Sequence, residues 1–231
     1  MQQYDRGGPN KRAAPVVGAD FVHFEGLREL YMAGCRGVTD AAFVHLRGIH
    51  TLDMTLCSQI AITDAAFAHL AGIQRLSIAG CRQATITDAA FAHLRGIQLL
   101  NMSGCNQLTD AAFVYLRGIH TLYMWYCNQP AITDAAFVHL RGIHTLVIEG
   151  CSQATITDAA FAHLRGIHTL VMDFCSQATI IGASFSALKS ASLLAMCGCS
   201  AAAVFAAQSL GLPVRIKGGA VYGGLTYVPN L

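Results

Sequence analysis

Residues 62–81, ITDAAFAHLAGIQRLSIAGC, return in close copies along most of the chain, and their reading decides the fold. Residues 132–146, ITDAAFVHLRGIHTL, and 156–170, ITDAAFAHLRGIHTL, differ only at Val138 against Ala162. Aligned on Cys35, Cys57, Cys81, Cys105, Cys127, Cys151, Cys175 and Cys199, the units follow one another at 22, 24, 24, 22, 24, 24 and 24 residues. A period in the twenties with regularly spaced leucines signals a solenoid, in which each unit buries its apolar side against its neighbours. Eight units therefore occupy 16–203. Residues 1–15, MQQYDRGGPNKRAAP, read as a flexible leader. Residues 204–231 read as a degenerate last repeat and cap: a ninth strand at Leu212–Lys217, with Val214 and Ile216 in the apolar places and Gly219 in the cysteine place, then a hairpin around Gly223-Gly224.

Within the quoted unit, Thr63 is placed to cap a helix, Asp64 sits where the first-turn amides favour an anion, and Ile62 and Phe67 occupy the two places of a hydrophobic staple. The element stops at a basic residue and a glycine, as in Arg95-Gly96, Arg117-Gly118, Arg141-Gly142 and Arg165-Gly166. A helix of about eight residues spans only about 12 Å and is not stable alone, so Phe67 and Leu70 must anchor it. The strand follows in the frame Ile73, Leu76, Ile78, Cys81, where Leu76 and Ile78 face inward and alternate with Arg75 and Ser77. Stacking these units predicts an α/β solenoid, with a parallel sheet on the concave face and short helices on the convex face. At about 4.8 Å per strand, eight units offer a concave surface about 35 to 40 Å long.

Composition narrows the function. Lys+Arg exceeds Asp+Glu by 15 − 13 = 2 in 231 residues, too small and scattered an excess for a nucleic-acid footprint or a polybasic membrane patch. The leader lacks the apolar core of a secretory signal, so a cytoplasmic protein is expected. Between Lys189 and Arg215 lie 25 uncharged residues, but Leu194, Met196 and Cys199 hold the repeat register there and Ser190, Ser192, Ser200, Gln208 and Pro213 dilute the run, which argues against a membrane span. The cysteines, one per unit, read as a row of reduced, buried, structural thiols; the tight pairs of a zinc site are missing apart from Cys197-x-Cys199. The histidines form two rows: His45, His69, His93, His139 and His163 share a helix place with Tyr115, and His50, His120, His144 and His168 share the strand entrance with Gln74 and Gln98. Tyr and Gln in those places show that neither row requires imidazole chemistry. Asp64 and His69 lie five apart, off one helix face, and the chain carries no nucleophile elbow or phosphate loop. No enzyme activity, cofactor or metal is expected.

The frame with Cys in its last place, followed by ITDAAF, resembles the cysteine-containing subclass of leucine-rich repeats over residues 16–200. That resemblance implies a horseshoe, and it brings in the F-box/leucine-rich-repeat substrate receptors of ubiquitin ligases, whose arrays hold the substrate. Two departures stand beside it: the units are shorter than the roughly 26 residues usual for the subclass, and the stretch before Val16 is too short for an F-box. A ligase role would place the adaptor module outside this chain, and a purely structural array is the remaining alternative.

Duplication explains sameness, so the informative positions are those where copies disagree, and these fall on outward strand places. Tyr123, Trp125, Tyr126, Val147, Glu149, Val171, Asp173 and Phe174 map onto three neighbouring units as one patch. Its aromatics suit burial against another protein, and its two carboxylates suit a basic group on that protein. The expectation is a non-enzymatic interaction scaffold that binds a protein partner on the concave face, centred on Trp125, the only tryptophan.

Overall fold

The structure, a computed structural model, describes residues 18–216. The expected leader, Gly219 and the hairpin around Gly223-Gly224 lie outside these residues. The described chain forms one sheet of nine parallel strands in sequence order. They are β1 (Glu29–Tyr31), β2 (Thr51–Asp53), β3 (Arg75–Ser77), β4 (Leu99–Asn101), β5 (Thr121–Tyr123), β6 (Thr145–Val147), β7 (Thr169–Val171), β8 (Leu193–Ala195) and β9 (Val214–Arg215). Register follows the repeat: Leu30, Leu52, Leu76, Leu100, Leu122, Leu146, Leu170 and Leu194 pair in succession, and Val214 closes the row.

The convex elements are tighter than the expected eight-residue helices. Asp64–Phe67, Asp110–Phe113 and Asp134–Phe137 make one α-turn each and continue as 3-10 turns at Ala68–Leu70, Val114–Leu116 and Val138–Leu140. Asp40–Leu46 and Asp88–Leu94 are 3-10 throughout. A 3-10 turn rises about 2.0 Å per residue against 1.5 Å for an α-helix, so a short unit covers the same arc with fewer residues. Thr63 Oγ1 accepts the Ala65 N–H as a cap should, and Thr87, Thr109, Thr133 and Thr157 repeat the bond. The elements from Asp40 to Phe161 run out at left-handed glycines, such as Gly96 at φ 83°, whereas Phe185–Leu188 is followed by Lys189-Ser190 without one. The longest helix, Ala201–Ser209, crosses the 203/204 boundary at the last repeat. No helix among the described residues is long and apolar enough to cross a membrane.

Between sheet and helices runs one continuous core in which Phe21, Phe43, Phe67, Phe91, Phe113, Phe137, Phe161 and Phe185 are fully buried, one per unit. Three polar ladders bind each unit to the one before it. Each cysteine from Cys57 to Cys199 in the repeat place donates its S–H to the strand-end carbonyl of the preceding unit, at 2.9–3.3 Å. The cysteines are therefore hydrogen-bonded as well as apolar filler, and all nine are free thiols. Two residues on, the Nε2 of Gln83, Gln107, Gln129 and Gln153 donates at 3.0 Å to the cysteine carbonyl of the preceding unit.

The third ladder uses Asp64, read from sequence as a first-turn anion. Its carboxylate accepts the N–H and Oγ1–H of Thr87 in the next unit, both at 2.7 Å. Asp40, Asp88, Asp110 and Asp134 clamp Thr63, Thr109, Thr133 and Thr157 in the same way, at 2.6–2.9 Å. The Thr-Asp pair thus serves twice: Thr caps its own turn, and Asp holds the cap of the following one.

Candidate functional site

Every repeat strand ends in a four-residue turn that carries the positions where the copies diverge. The Cys127 N–H donates to Met124 O and the Cys151 N–H to Ile148 O, closing turns whose third residue has positive φ. That is the pattern of a type II turn, whose third place favours glycine. Gly34, Gly80, Gly104, Gly150 and Gly198 supply it at φ 67–71°. Leu56, Tyr126 and Phe174 occupy the same place at φ 60°, 54° and 60°, the only non-glycine residues with positive φ among those described. The ladder holds them there: the Tyr126 N–H donates to Glu149 O and the Phe174 N–H to Cys197 O. A bulky side chain in this region costs about 1–2 kcal/mol.

Each of the three bulky residues lies over a glycine of the next unit. A Cβ on Gly150 would stand 2.5 Å from Tyr126 Cδ1, one on Gly198 2.7 Å from Phe174 Cδ1, and one on Gly80 2.5 Å from Leu56 Cδ2. Large side chain and glycine are therefore matched across neighbouring units. The far faces stay open, with Leu56 61%, Tyr126 56% and Phe174 53% exposed. By strand spacing Tyr126 and Phe174 stand about 10 Å apart along the stack.

The remaining residues of the sequence-derived patch divide by depth. Tyr123, Val147 and Val171, which share one place on the sheet, are buried and form a small second core with Ala195, against which Leu99 and Trp125 pack. Ser77 and Asp53 in that same place are also buried, although alternation assigns the place to the outer face. In-register strands about 4.8 Å apart stack these side chains directly on one another, and this covers them. Trp125 is half-buried and meets Tyr123 edge to face, centroids 6.1 Å apart at 90°. Asp173 is buried; its Oδ1 accepts the Cys197 N–H at 2.6 Å and its Oδ2 lies 3.7 Å from the Arg215 guanidinium. Glu149, one unit earlier and half-buried, has an Oε2 atom shielded from solvent without a hydrogen-bond partner. Burial, and then the charge of Asp173, pushes its carboxyl above the ordinary carboxylate range.

Two participants escaped the sequence reading. Leu56 belongs with Tyr126 and Phe174, and its signal was legible: it stands in a column where five units carry glycine. Arg215 had no such signal, because its partner Asp173 is 42 residues away and lies two strands across the sheet, in the loop after β7. Elsewhere, His120, His144 and His168 stack face to face with neighbouring centroids 4.5 Å apart, each Nδ1 within 3.1–3.2 Å of the following threonine hydroxyl. Desolvation, then the two flanking imidazoles, holds His144 below its ordinary value. No group of three or more His, Cys, Asp or Glu residues among those described is arranged to hold a metal ion.

No family model and no curated protein matches the chain. Solved structures do. An internalin C2 from Listeria monocytogenes aligns over 87% of this chain and 84% of its own, with 20% identity and a TM-score of 0.58. Human 5T4, the Wnt-activated inhibitory factor 1, aligns over 73% and 69%, with 20% identity and a TM-score of 0.57. TLR13, solved in complex with the RNA ssRNA13, aligns over 86% of this chain with 17% identity and a TM-score of 0.61, and the alignment spans 27% of the TLR13 chain. Likeness at such identities speaks for fold alone, and it agrees with the nine-stranded open sheet: the architecture is an α/β leucine-rich-repeat solenoid.

Proposed function

We propose that the chain is a non-enzymatic interaction scaffold that engages a protein partner along the strand-end turns of its concave side, around Trp125. The observation that carries this reading is the pair Tyr126 and Phe174. Glycine would satisfy the turn at lower conformational cost, yet two aromatic rings are held there, half open to solvent, in the unit containing the only tryptophan and two units beyond it. Backbone strain kept at exposed aromatic positions points to a surface used for contact, since such rings bury large areas with few torsions to freeze. Tyr123, Val147 and Val171 serve as the floor that fixes these residues.

The TLR13 structure shows a protein of this fold with RNA, so the architecture does not by itself dictate the partner. The local charge favours protein: Glu149, which has no cation within the described chain, belongs to the unit between those of Tyr126 and Phe174, where a phosphate chain meets repulsion.

The test is the double substitution Tyr126→Gly with Phe174→Gly, which installs the residue that other units already carry. Cross-linked capture followed by quantification against the wild type is expected to lose the partner at least tenfold, with circular dichroism unchanged. Full capture by the variant would refute the assignment of this surface.

A further inference from the structure

The two carboxylates at the centre of the surface are not equivalent, and the difference indicates what the partner brings. Trp125, Glu149 and Asp173 occupy the same place in three consecutive units, the second residue of the strand-end turn, so they stand in a row about 4.8 Å apart by strand spacing. Asp173 has its needs met from within the chain: the Cys197 N–H on one oxygen and the Arg215 guanidinium near the other. Glu149 has neither. Its Oε2 is out of contact with solvent, no donor reaches it, and only two salt bridges occur among the described residues, neither of them at Glu149. A carboxylate oxygen shielded from water without a donor is costly, and a charged donor that reaches the carboxylate relieves that cost.

The ring neighbours suit such a donor. Trp125 precedes Glu149 in the row, the Tyr126 ring lies over Gly150 directly after it, and aromatic faces attract cations. Two carboxylates, one already engaged, are too few for a metal set, and the described residues show no larger one. A guanidinium fits better than an ammonium, because its flat face stacks on aromatic rings while its edge donates two parallel hydrogen bonds to a carboxylate. One unit further on, the Arg215 guanidinium already lies beside Asp173, with a single N···O approach of 3.7 Å.

We propose that Glu149, between Trp125 and Asp173, is the seat for an arginine side chain of the protein partner. The inference rests on the concave-side reading above and adds to it the chemistry of the residue that docks.

The sole tryptophan gives a direct readout. The probe is the capped peptide acetyl-Leu-Arg-Ala-Leu-amide, with a matched peptide in which neutral citrulline replaces arginine at the same shape. Titrated into the nitrogen-15-labelled full chain, the arginine peptide is expected to shift the single indole N–H resonance saturably. The citrulline peptide is expected to bind at least fivefold more weakly, and Glu149→Gln to weaken arginine binding about tenfold with the amide spectrum otherwise preserved. Equal binding of the two peptides, or an unchanged affinity in Glu149→Gln, overturns the proposal. The two readings fail separately: if Tyr126→Gly with Phe174→Gly loses the partner while Glu149→Gln captures it normally, the surface stands and the arginine seat falls. If Glu149→Gln loses the arginine peptide but the aromatic double variant still captures the partner, the reverse holds.

Discussion

Tyr126 and Gly150 are a matched pair across two units, and the match is testable one side chain at a time. In Gly150→Ala the new Cβ meets both left-handed strain at φ 68° and the Tyr126 ring, 2.5 Å away. The ring is the end of a side chain already constrained by its own positive φ, so it has limited freedom to move aside. The expected cost is about 2–3 kcal/mol in denaturant unfolding, falling to about 1 kcal/mol when Tyr126→Gly is already present and only strain remains. Additive costs would show that the ring yields freely. Tyr126→Gly alone is expected to stay within about 1 kcal/mol of the wild type, because relief of strain offsets the modest packing of a ring that is 56% exposed.

Among the elements, the joint between neighbouring convex turns depends most on the aspartate clamp. Asp134 holds the Thr157 N–H at 2.7 Å and its Oγ1–H at 2.6 Å, so the cap of one turn is built partly by the turn before it. Asp134→Ala removes both charge-assisted bonds and leaves the Thr157 amide without its acceptor; at this partly exposed rim the expected loss is about 2 kcal/mol. Asp134→Asn keeps the shape and one acceptor, and is expected to lose less than half as much. Thermal melts of both variants check the order, and equal melting points for wild type and Asp134→Ala would remove the clamp from the account. The thin helical arcs follow the same logic: turns of seven residues or fewer are too short to persist alone, and their stability comes from Phe anchors and inter-unit bonds.

Across the whole molecule the cysteine row reports on whether the stack is closed. Burial pushes the Cys57 and Cys81 thiols up to about 12 and Cys127 to about 11, and Cys105 and Cys175 rise well above the ordinary thiol value. Cys199, half-buried, is likewise pushed up to about 12. An aromatic disulfide reagent at pH 8 is therefore expected to modify the partly exposed Cys197 rapidly and the other eight only on unfolding, since seven of those are buried and the Cys199 thiol is held protonated. Fast modification of more than two thiols in the folded protein would mean that the repeats open readily from one another.

The repeat period, the in-register leucines, the threonine caps and the glycine stops were legible in the chain alone. They are local patterns repeated many times, and repetition makes register unambiguous. The divergent columns were legible as well, because duplication supplies its own background. What those columns do in space came only with the tertiary structure. Alternation assigns Tyr123, Val147 and Val171 to an outer face, but strands stacked in register bury them against each other and leave exposure to Tyr126 and Phe174 at the turns. Likewise, nothing local distinguishes Asp173 from Glu149. The distinction depends on the Cys197 N–H of the next unit and on Arg215, brought from two strands away by the stacking of units; they give one carboxylate a donor and a nearby cation, while Glu149 Oε2 has no donor.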